Sequence, residues 1–277
     1  MVSRASLAEE AKTCGTGSGL PFFLPDRQTK RAGKNATLMA VFLVFGAGFI
    51  LEPSFAYAYR PFVSTDAAVV AKRETEIELG LVTVSRSQGL YEVFSPSLRY
   101  NYGLWKNWEF VAEFENQVYG EDTDGNWQVR DPGLFLKGIL IEGLLQNKPG
   151  PGLATEFGIL LPSTLKGESH VGAAGAFILS DNIKDWVYHL NLGLELDRVE
   201  QEPTLAWGVI LEYPVTRSFR LVGELNGFAP TRDSPENSGL IGFIWRYRKI
   251  AIDFGIRFGL SKQAPDQEVT TGVTFAF

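Results

Sequence analysis

Charged residues that recur at every second position are the part of this sequence most able to do chemistry. Glu76 and Glu78 have this spacing, and so do Glu113 and Glu115. Residues two apart in a β-strand point to the same face, so each pair would form a charged face. Carboxylates are costly in an apolar environment but tolerable where they line water or pair with bases. Such a face could attract and select ions.

Two histidines are the candidates for a catalytic base. Ser169 and His170 are adjacent near the outer end of the sixth predicted strand, and adjacent strand residues point to opposite faces, so a direct Ser–His pair is not expected. His189 is predicted to point inward, where hydrogen bonds to polar neighbours would satisfy it. We therefore predict no catalytic residue and no enzymatic activity.

Other kinds of site are not indicated. Cys14 is the single cysteine, and isolated histidines without further cysteines lack metal-ligand spacing. Asp122, Asp124 and Asn126 resemble only half of a calcium loop, and we interpret them as a solvated turn. No glycine-rich phosphate loop follows a strand and opens a helix. A formal charge of -6 argues against nucleic acid as a partner, and we expect no cofactor and no metal.

The elements that would position the charged faces are short alternating strands. From about Thr75 onward, apolar residues alternate with small or polar ones in segments roughly ten residues long, as in outer-membrane barrels. We predict an all-β fold, a transmembrane antiparallel up-and-down β-barrel of about 12 strands. A soluble β-sandwich is the alternative, and it would place apolar residues inside. The predicted strands are residues 74–85, 94–104, 108–119, 131–142, 152–161, 170–180, 186–197, 204–213, 219–228, 238–247, 250–261 and 267–277.

The connections between these strands form two sets. With the mature N-terminus in the periplasm, the predicted periplasmic turns are residues 105–107, 143–151, 181–185, 214–218 and 248–249. The predicted extracellular loops are residues 86–93, 120–130, 162–169, 198–203, 229–237 and 262–266. The second set is longer and richer in Gly, Pro, Asp and Ser, as extracellular loops should be.

An export signal is predicted at the N-terminus. A basic cluster that includes Arg27 and Lys34 precedes the apolar stretch of residues 36–51, and a small-x-small site ends at Ala58. We therefore predict a cleaved leader and signal peptide, residues 1–58, and an outer-membrane barrel, residues 59–277. A membrane anchor is the alternative, but the apolar stretch is shorter than the roughly 20 residues that span a bilayer.

Aromatic residues indicate where the membrane surface would lie. Trp105, Trp108, Trp186 and Trp245 all fall beside predicted periplasmic turns, where Trp and Tyr favour the interface between lipid and water. Phe277 ends the chain on a predicted outward face. We predict that the barrel-insertion machinery recognises Phe277 and that its ring also joins the periplasmic aromatic girdle.

The inward faces supply candidates for solute selection. In the seventh predicted strand, Trp186 and Leu190 would face lipid while His189 and Glu195 face inward. The lumen candidates are Arg99, Glu113, Glu115, Lys137, His189, Glu195, Arg220, Glu224, Asp253 and Arg257. Acids outnumber bases on the predicted inner faces, so an open pore should prefer cations. About 12 strands lie between filled eight-stranded barrels and open 16-stranded porins, so strand number leaves open whether the lumen conducts.

Two segments resemble a known family. Residues 130–138, Arg-Asp-Pro-Gly-Leu-Phe-Leu-Lys-Gly, and residues 156–163, Glu-Phe-Gly-Ile-Leu-Leu-Pro-Ser, are similar to short motifs of the outer-membrane transporter family labelled "MetA-pathway of phenol degradation". The family has Leu-Pro-Thr-Gly where this chain continues Pro162-Ser163-Thr164. The resemblance implies an outer-membrane barrel associated with pathways for aromatic or other small organic compounds, and no catalytic residue carries over.

The function we predict is passive uptake or efflux of small solutes, including aromatic or hydrophobic ones, in the bacterial outer membrane. The expected partners are outer-membrane lipid, the barrel-insertion machinery and a small-molecule solute. A closed barrel that serves a structural or assembly role is the alternative. An outer-membrane lipid-modifying enzyme is the third possibility, and it would need a nucleophile and a base at the outer rim.

Overall fold

The structure is a computed structural model that describes residues 60–120, 127–165, 168–199 and 201–277. Its strands are β1 (Thr75–Ser87), β2 (Leu90–Trp105), β3 (Trp108–Tyr119), β4 (Gln128–Ile141), β5 (Gly152–Leu160), β6 (Gly172–Ile183), β7 (Trp186–Leu196), β8 (Pro203–Pro214), β9 (Phe219–Pro230), β10 (Glu236–Tyr247), β11 (Ile250–Gly259) and β12 (Gln267–Ala276). A short 3₁₀ helix, Leu144–Gln146, lies between β4 and β5. Among the described residues, no helix has the length and apolar character needed to cross a membrane. The predicted strands are confirmed, with boundaries that differ by a few residues.

The strands form one closed antiparallel barrel. Each strand pairs with its neighbours in sequence, and β1 pairs with β12 to close the wall. At this closing seam Ile77 lies opposite Phe275 on β12 and Tyr100 on β2. Closure leaves the sheet without a free edge. The predicted up-and-down topology is therefore confirmed.

Side chains alternate between an apolar outer face and a polar inner face. On β7, the outward Leu192 and Leu194 are 58% and 61% exposed, whereas the inward His189 is 2% exposed. The same alternation on β11 separates the exposed Ile250, Ile252 and Phe258 from the buried Ala251, Asp253 and Arg257. This arrangement suits a barrel whose outside meets lipid, and it is the reverse of a soluble β-sandwich.

The two ends of the barrel differ in their connections. The end that carries Thr75 and Phe277, here called the turn end, joins β2 to β3, β6 to β7 and β10 to β11 by two residues each. The opposite end, here called the loop end, carries longer connections, including residues 161–171 and 260–266. The predicted division into short turns and long loops is therefore confirmed for most connections.

One predicted loop is wrong. The sequence predicts an extracellular loop at residues 86–93, but β1 and β2 continue through most of them and meet at Gln88 and Gly89. Both residues have positive φ, 51° and 87°. Positive φ at both central residues is the geometry of a type I′ turn, whose twist lets the two strands continue up to a two-residue connection.

The residues that precede the wall lie inside it. Residues 60–73, here called the lumen segment, contact the inner faces of strands around the barrel before β1 begins at Thr75. The predicted leader, residues 1–58, lies outside the described residues, as do the loop residues Asp122, Asp124 and Asn126. The cleavage site and the solvated-turn interpretation therefore stay predictions.

Candidate functional site: the barrel lumen

Each lumen candidate named from the sequence lies on the inner face of the wall. Five of them are almost fully buried there, namely Lys137, His189, Glu224, Asp253 and Arg257. Four others, Arg99, Glu113, Glu115 and Glu195, line a cavity in the lumen, and Arg220 pairs with the buried Glu212. The role of these residues in selecting solutes stays a proposal.

An arginine on β2 joins two carboxylates on neighbouring parts of the wall. Arg99 donates from Nη1 to Glu113 on β3 and from Nη2 to Glu156 on β5, the second bond being 2.7 Å long. Charge-assisted bonds of this kind are stronger than those between neutral groups. This ionic cluster accordingly binds the predicted Glu113 and also Glu156 to Arg99.

A second ionic cluster lies on β7, β8 and β9 near the turn end. His189 shares a 2.7 Å hydrogen bond with Ser180 through Nδ1, and its Nε2 lies 3.5 Å from Glu212. Arg220 donates a hydrogen bond to the same Glu212. Ser180 therefore satisfies Nδ1 of His189, whereas the buried Nε2 faces Glu212 without forming a hydrogen bond. Ser180 and His189 are both buried.

Arg60 begins the lumen segment and bridges the seam at which the barrel closes. Its backbone N–H donates to Glu78 on β1 over 3.2 Å. Its guanidinium donates to Ser97 on β2 over 2.8 Å and to Thr270 on β12 over 2.7 Å. Asp253 on β11 is fully buried, and its carboxylate lies 3.8 Å from Arg60 Nε. One side chain of the segment therefore connects strands on both sides of the seam.

The segment next crosses to β9, where a buried carboxylate holds its backbone. Glu224 accepts hydrogen bonds from the backbone N–H of Val63 over 3.1 Å and of Ser64 over 2.7 Å. Arg257 donates to the same carboxylate over 2.9 Å. Gly208 on β8 allows the close approach, because a Cβ there would lie 2.8 Å from the Cβ of Ser64. This position admits no larger residue unless the segment moves.

Polar side chains on β6 and β7 continue this pattern. The Thr65 N–H donates to Asn191 over 3.0 Å, and the Asn191 amide donates back to the Thr65 carbonyl over 2.7 Å. The Ala67 N–H donates to Ser180 over 2.8 Å. Backbone groups inside a closed barrel need partners, and the wall supplies them.

A buried lysine anchors the middle of the segment. Lys137 donates to Thr65 Oγ1 over 2.9 Å and lies 3.6 Å from Asp66 and 3.9 Å from Glu109. Glu109 also accepts the backbone N–H of Val70 over 2.6 Å. Burial of these charges is tolerable because each lies beside an opposite charge and accepts or donates hydrogen bonds.

Apolar packing fixes the segment as well. Phe62 packs against a lumen-facing cluster that includes Val222, Leu240 and Ile244. Ala67 packs against Ala154 and Ile178. Side chains of the segment and of the wall therefore occupy much of the turn-end half of the lumen.

Sequence reasoning did not foresee the lumen segment. The only available signal was a stretch between the predicted cleavage site and β1 that lacks strand alternation and contains Pro61. The residues that receive the segment, such as Ser180 and Asn191, are ordinary inward-facing polar residues in the sequence. Only the closed fold brings them near residues that lie more than a hundred positions away.

Two cavities lie on either side of the segment. The loop-side cavity has a volume of about 490 Å³ and is lined by residues that include Glu115, Phe228 and Arg198. The turn-side cavity has a volume of about 210 Å³ and is lined by buried polar residues that include Glu76. Glu78 and Arg99 line both cavities, so these side chains stand between the two spaces.

The candidates for other chemistry are not assembled into a site. His170 lies in the connection before β6 rather than in the strand that the sequence predicted, and Ser169 lies in the same connection. Within the described ranges, no group of three or more His, Cys, Asp or Glu residues is arranged to hold a metal ion. The lumen is therefore the part of the described chain with the clearest potential for function.

Aromatic side chains cluster at the turn end, as predicted. Trp186 contacts Tyr213 with ring centroids 4.9 Å apart, and the rings of Phe275 and Phe277 stack at 6.5 Å. The Phe277 backbone also exchanges hydrogen bonds with Thr75 at the start of β1. Phe277 therefore contacts the seam, while its recognition by insertion machinery stays a prediction.

A charged pair at the turn end lies outside the wall. Glu142 accepts a hydrogen bond from Asn107 over 3.0 Å and lies 3.1 Å from Lys106 Nζ. The Asn107 bond, together with Lys106, lowers the pKa of the Glu142 carboxyl below its ordinary value. This pair stabilises a turn and takes no part in the lumen.

Comparison with known proteins identifies structures with a similar fold but no family. No protein-family model matches the chain, and no curated protein matches it in sequence. The NanC porin, solved in a rhombohedral crystal form, is similar with a TM-score of 0.52 and 9% identity, over 73% of this chain and 98% of that one. The COG4313 outer membrane channel from Pseudomonas putida F1 is similar with a TM-score of 0.54 and 10% identity, over 76% of this chain and 97% of that one. The chain therefore has the fold of an outer-membrane barrel.

Proposed function

We propose that this protein is a passive channel for small solutes in the bacterial outer membrane, narrowed by its own lumen segment. The observation that carries the proposal is that two cavities lie along the lumen, one on each side of the same pair, Glu78 and Arg99. The shared fold with a porin and an outer-membrane channel supports this role. The predicted export signal supports the location.

The proposed ion preference follows from the charges on the inner wall. Acids outnumber bases there, and a narrow lumen between low-dielectric walls amplifies the resulting field. We propose that Arg99, Glu113, Glu115, Glu195 and the other lumen candidates set a preference for cations. The charges at Glu113 and Glu224 are partly offset by Arg99 and Arg257, so the uncompensated carboxylates should matter most.

The solute class that the MetA-pathway resemblance implies is also part of this proposal. Small organic compounds with an aromatic or apolar portion would suit a lumen in which Phe135 and Phe228 line the same cavity as charged groups. We propose no enzymatic activity, because a lipid-modifying enzyme would need a paired nucleophile and base at the outer rim.

A closed barrel with a structural or assembly role is the second candidate. The tight fixation of the lumen segment favours it, since Glu224 and Asn191 hold the segment by several bonds across the lumen. In this alternative the segment would be a permanent plug, and the cavities would hold only water.

Planar-bilayer recordings of the purified protein decide between these two functions. A channel should give discrete, low conductance with a reversal potential that shows cation preference in a salt gradient. Absence of conductance would favour the closed barrel, provided that heat-modifiable migration on gels verifies that the protein is folded. Anion preference would contradict the assignment of the lumen charges while leaving the channel role intact.

A further inference from the structure

The loop-side cavity has the size of a small-molecule site. Its volume of about 490 Å³ lies within the range of roughly 300–1,000 Å³ that such sites occupy. The space exists because the lumen-facing residues of three consecutive strands are small. These residues are Ala174 and Ala176 on β6, Gly193 on β7 and Ala206 on β8.

Part of the cavity wall is apolar. Phe135 and Leu160 pack together in one lumen-facing cluster with Ala174 beside them. Phe228 lines the cavity from β9, and Phe62 of the lumen segment lines it from the turn-end side. Aromatic rings can cover the apolar body of a ligand and can also attract a cation to their faces.

The remaining wall carries charges that are unevenly compensated. Arg99 pairs with Glu113 and Glu156, and Arg198 donates to Asp131 over 2.9 Å. Glu115 and Glu195 also line the cavity, and neither forms a hydrogen bond or an ion pair with any residue of the described ranges.

A carboxylate that has no bonded partner in the described ranges and lies beside an apolar wall favours one class of ligand. A cation gains attraction to both carboxylates, and the enclosed setting weakens screening by solvent. An anion of the same shape would be repelled, and a neutral molecule would gain only the apolar contact.

We propose that the loop-side cavity binds a small organic cation, with its charged group near Glu115 and Glu195 and its apolar body against Phe135 and Phe228. The proposal rests on the proposed function in treating this cavity as part of the solute path, and it names the class of solute. The small residues of β6, β7 and β8 provide room for the body of the ligand, and the lumen segment forms the floor on which it is retained.

Isothermal titration of the folded barrel in detergent micelles tests the site without requiring conduction. The probe is benzyltrimethylammonium, compared with benzyl alcohol as the neutral analogue and benzoate as the anion. The cation should bind saturably and at least roughly tenfold more tightly than either analogue. Equal affinity for the three compounds, or no binding of the cation, would overturn the proposal.

Variants locate the binding to this cavity. The double variant Glu115→Gln, Glu195→Gln should weaken binding of the probe by about tenfold, since both attractions are removed. Glu142→Gln makes the same chemical change at the turn end and should leave binding unchanged. Ala206→Val fills the space beside β8 and should also weaken binding. Unaltered binding by the correctly folded double variant would contradict the assignment.

The outcomes separate this inference from the channel role. If the barrel binds benzyltrimethylammonium but never conducts, the proposed channel function is wrong and the proposed binding site stands. If the barrel conducts but does not bind benzyltrimethylammonium, the proposed binding site is wrong and the proposed channel function stands.

Discussion

The two halves of the lumen share one wall but use it differently. In the turn-end half, the lumen segment occupies the space, and buried groups such as Glu224 and Lys137 are bonded to it. In the loop-end half, small residues leave a cavity, and Glu115 and Glu195 have no bonded partner in the described ranges. The same twelve strands form the wall of both halves. The difference between the halves therefore comes from the size and charge of the inward side chains.

This difference suggests that the two halves of the lumen have different roles. A barrel of about 12 strands is wide enough that side chains alone need not fill it, so a preceding stretch of chain can complete the interior. The filled half would stabilise the barrel and limit the size of what passes. In the proposed channel, the loop-end half would select the solutes that enter.

The largest expected effect is the loss of Glu224 from the filled half. Glu224→Ala removes the acceptor of the Val63 and Ser64 amides and leaves Arg257 buried without its 2.9 Å partner. Removing one member of a buried ion pair typically costs about 3–5 kcal/mol. The free energy of unfolding in urea should fall by that order.

Glu115→Ala in the open half is the matched control. It removes a carboxylate that has no bonded partner in the described ranges, so its effect on unfolding should be within about 0.5 kcal/mol of zero. Equal destabilisation by the two substitutions would mean that the halves do not differ in the way described.

Two neighbouring positions on β8 give a finer test. Gly208 and Ala206 point to the same side, but Gly208 faces Ser64 whereas Ala206 faces the loop-side cavity. Gly208→Ala would place a Cβ 2.8 Å from the Cβ of Ser64. Overpacking of this kind costs about 1–3 kcal/mol, which the urea midpoint should report.

Ala206→Val adds more atoms yet should change stability little, because it extends into open space. A β-branched residue is also well accommodated in a strand. If Gly208→Ala were as neutral as Ala206→Val, the segment would not be held tightly against the wall at Ser64.

The contrast between wall and lumen also shows what the sequence could reveal. The twelve strands were predictable because outward Leu192 and Leu194 alternate with inward residues, and this period is local along the chain. The inward position of Arg99 and Glu113 followed from the same period. The turn at Gln88 and Gly89 was missed, since the residues around it were interpreted as a polar loop rather than as strand ends.

The pairing inside the lumen could not be predicted in the same way. The bond between Ser64 and Glu224 joins residues 160 positions apart, and that between Arg60 and Thr270 joins residues 210 apart. Such contacts depend on strand order, closure and the path of residues 60–73, none of which leaves a periodic signal. The sequence therefore identified the polar groups on the inner wall, but it did not show which of them form hydrogen bonds with residues 60–73.

Assembly offers a further contrast, now between the ends of the barrel. Phe277 stacks on Phe275 at the turn end and bonds through its backbone to Thr75 across the closing seam. Deleting Phe277 should lower the yield of heat-modifiable barrel in vivo by several-fold, because both contacts and the predicted recognition by the insertion machinery are lost. Phe258→Ala near the loop end is the control, and it should reduce the yield less. An unchanged yield after deletion at low expression would argue against this role.

Ion selectivity should change when charges in the loop-end half of the lumen are removed. The double variant Glu115→Gln, Glu195→Gln removes two carboxylates that have no bonded partner in the described ranges, so the reversal potential in a salt gradient should move toward zero. Glu113→Gln leaves Arg99 with its second partner, Glu156, and tests whether a paired carboxylate also contributes. A larger shift from Glu113→Gln than from the double variant would place the selecting charges in the paired cluster instead.

The smallest effect is expected at the rim, where the Glu142 carboxyl is held by Asn107 and Lys106. The pKa of Glu142 is lowered in the folded protein, so its contribution to stability is present above the ordinary pKa of 4.5 and is lost as the pH falls through the folded value. Glu142→Gln should therefore lower the urea midpoint slightly at pH 7 and leave it equal to that of the parent protein at pH 2. The Lys106 side chain is 83% exposed, so salt should weaken the difference at pH 7. A difference that persists at pH 2 would show that the neutral carboxyl, rather than its charge, holds this turn.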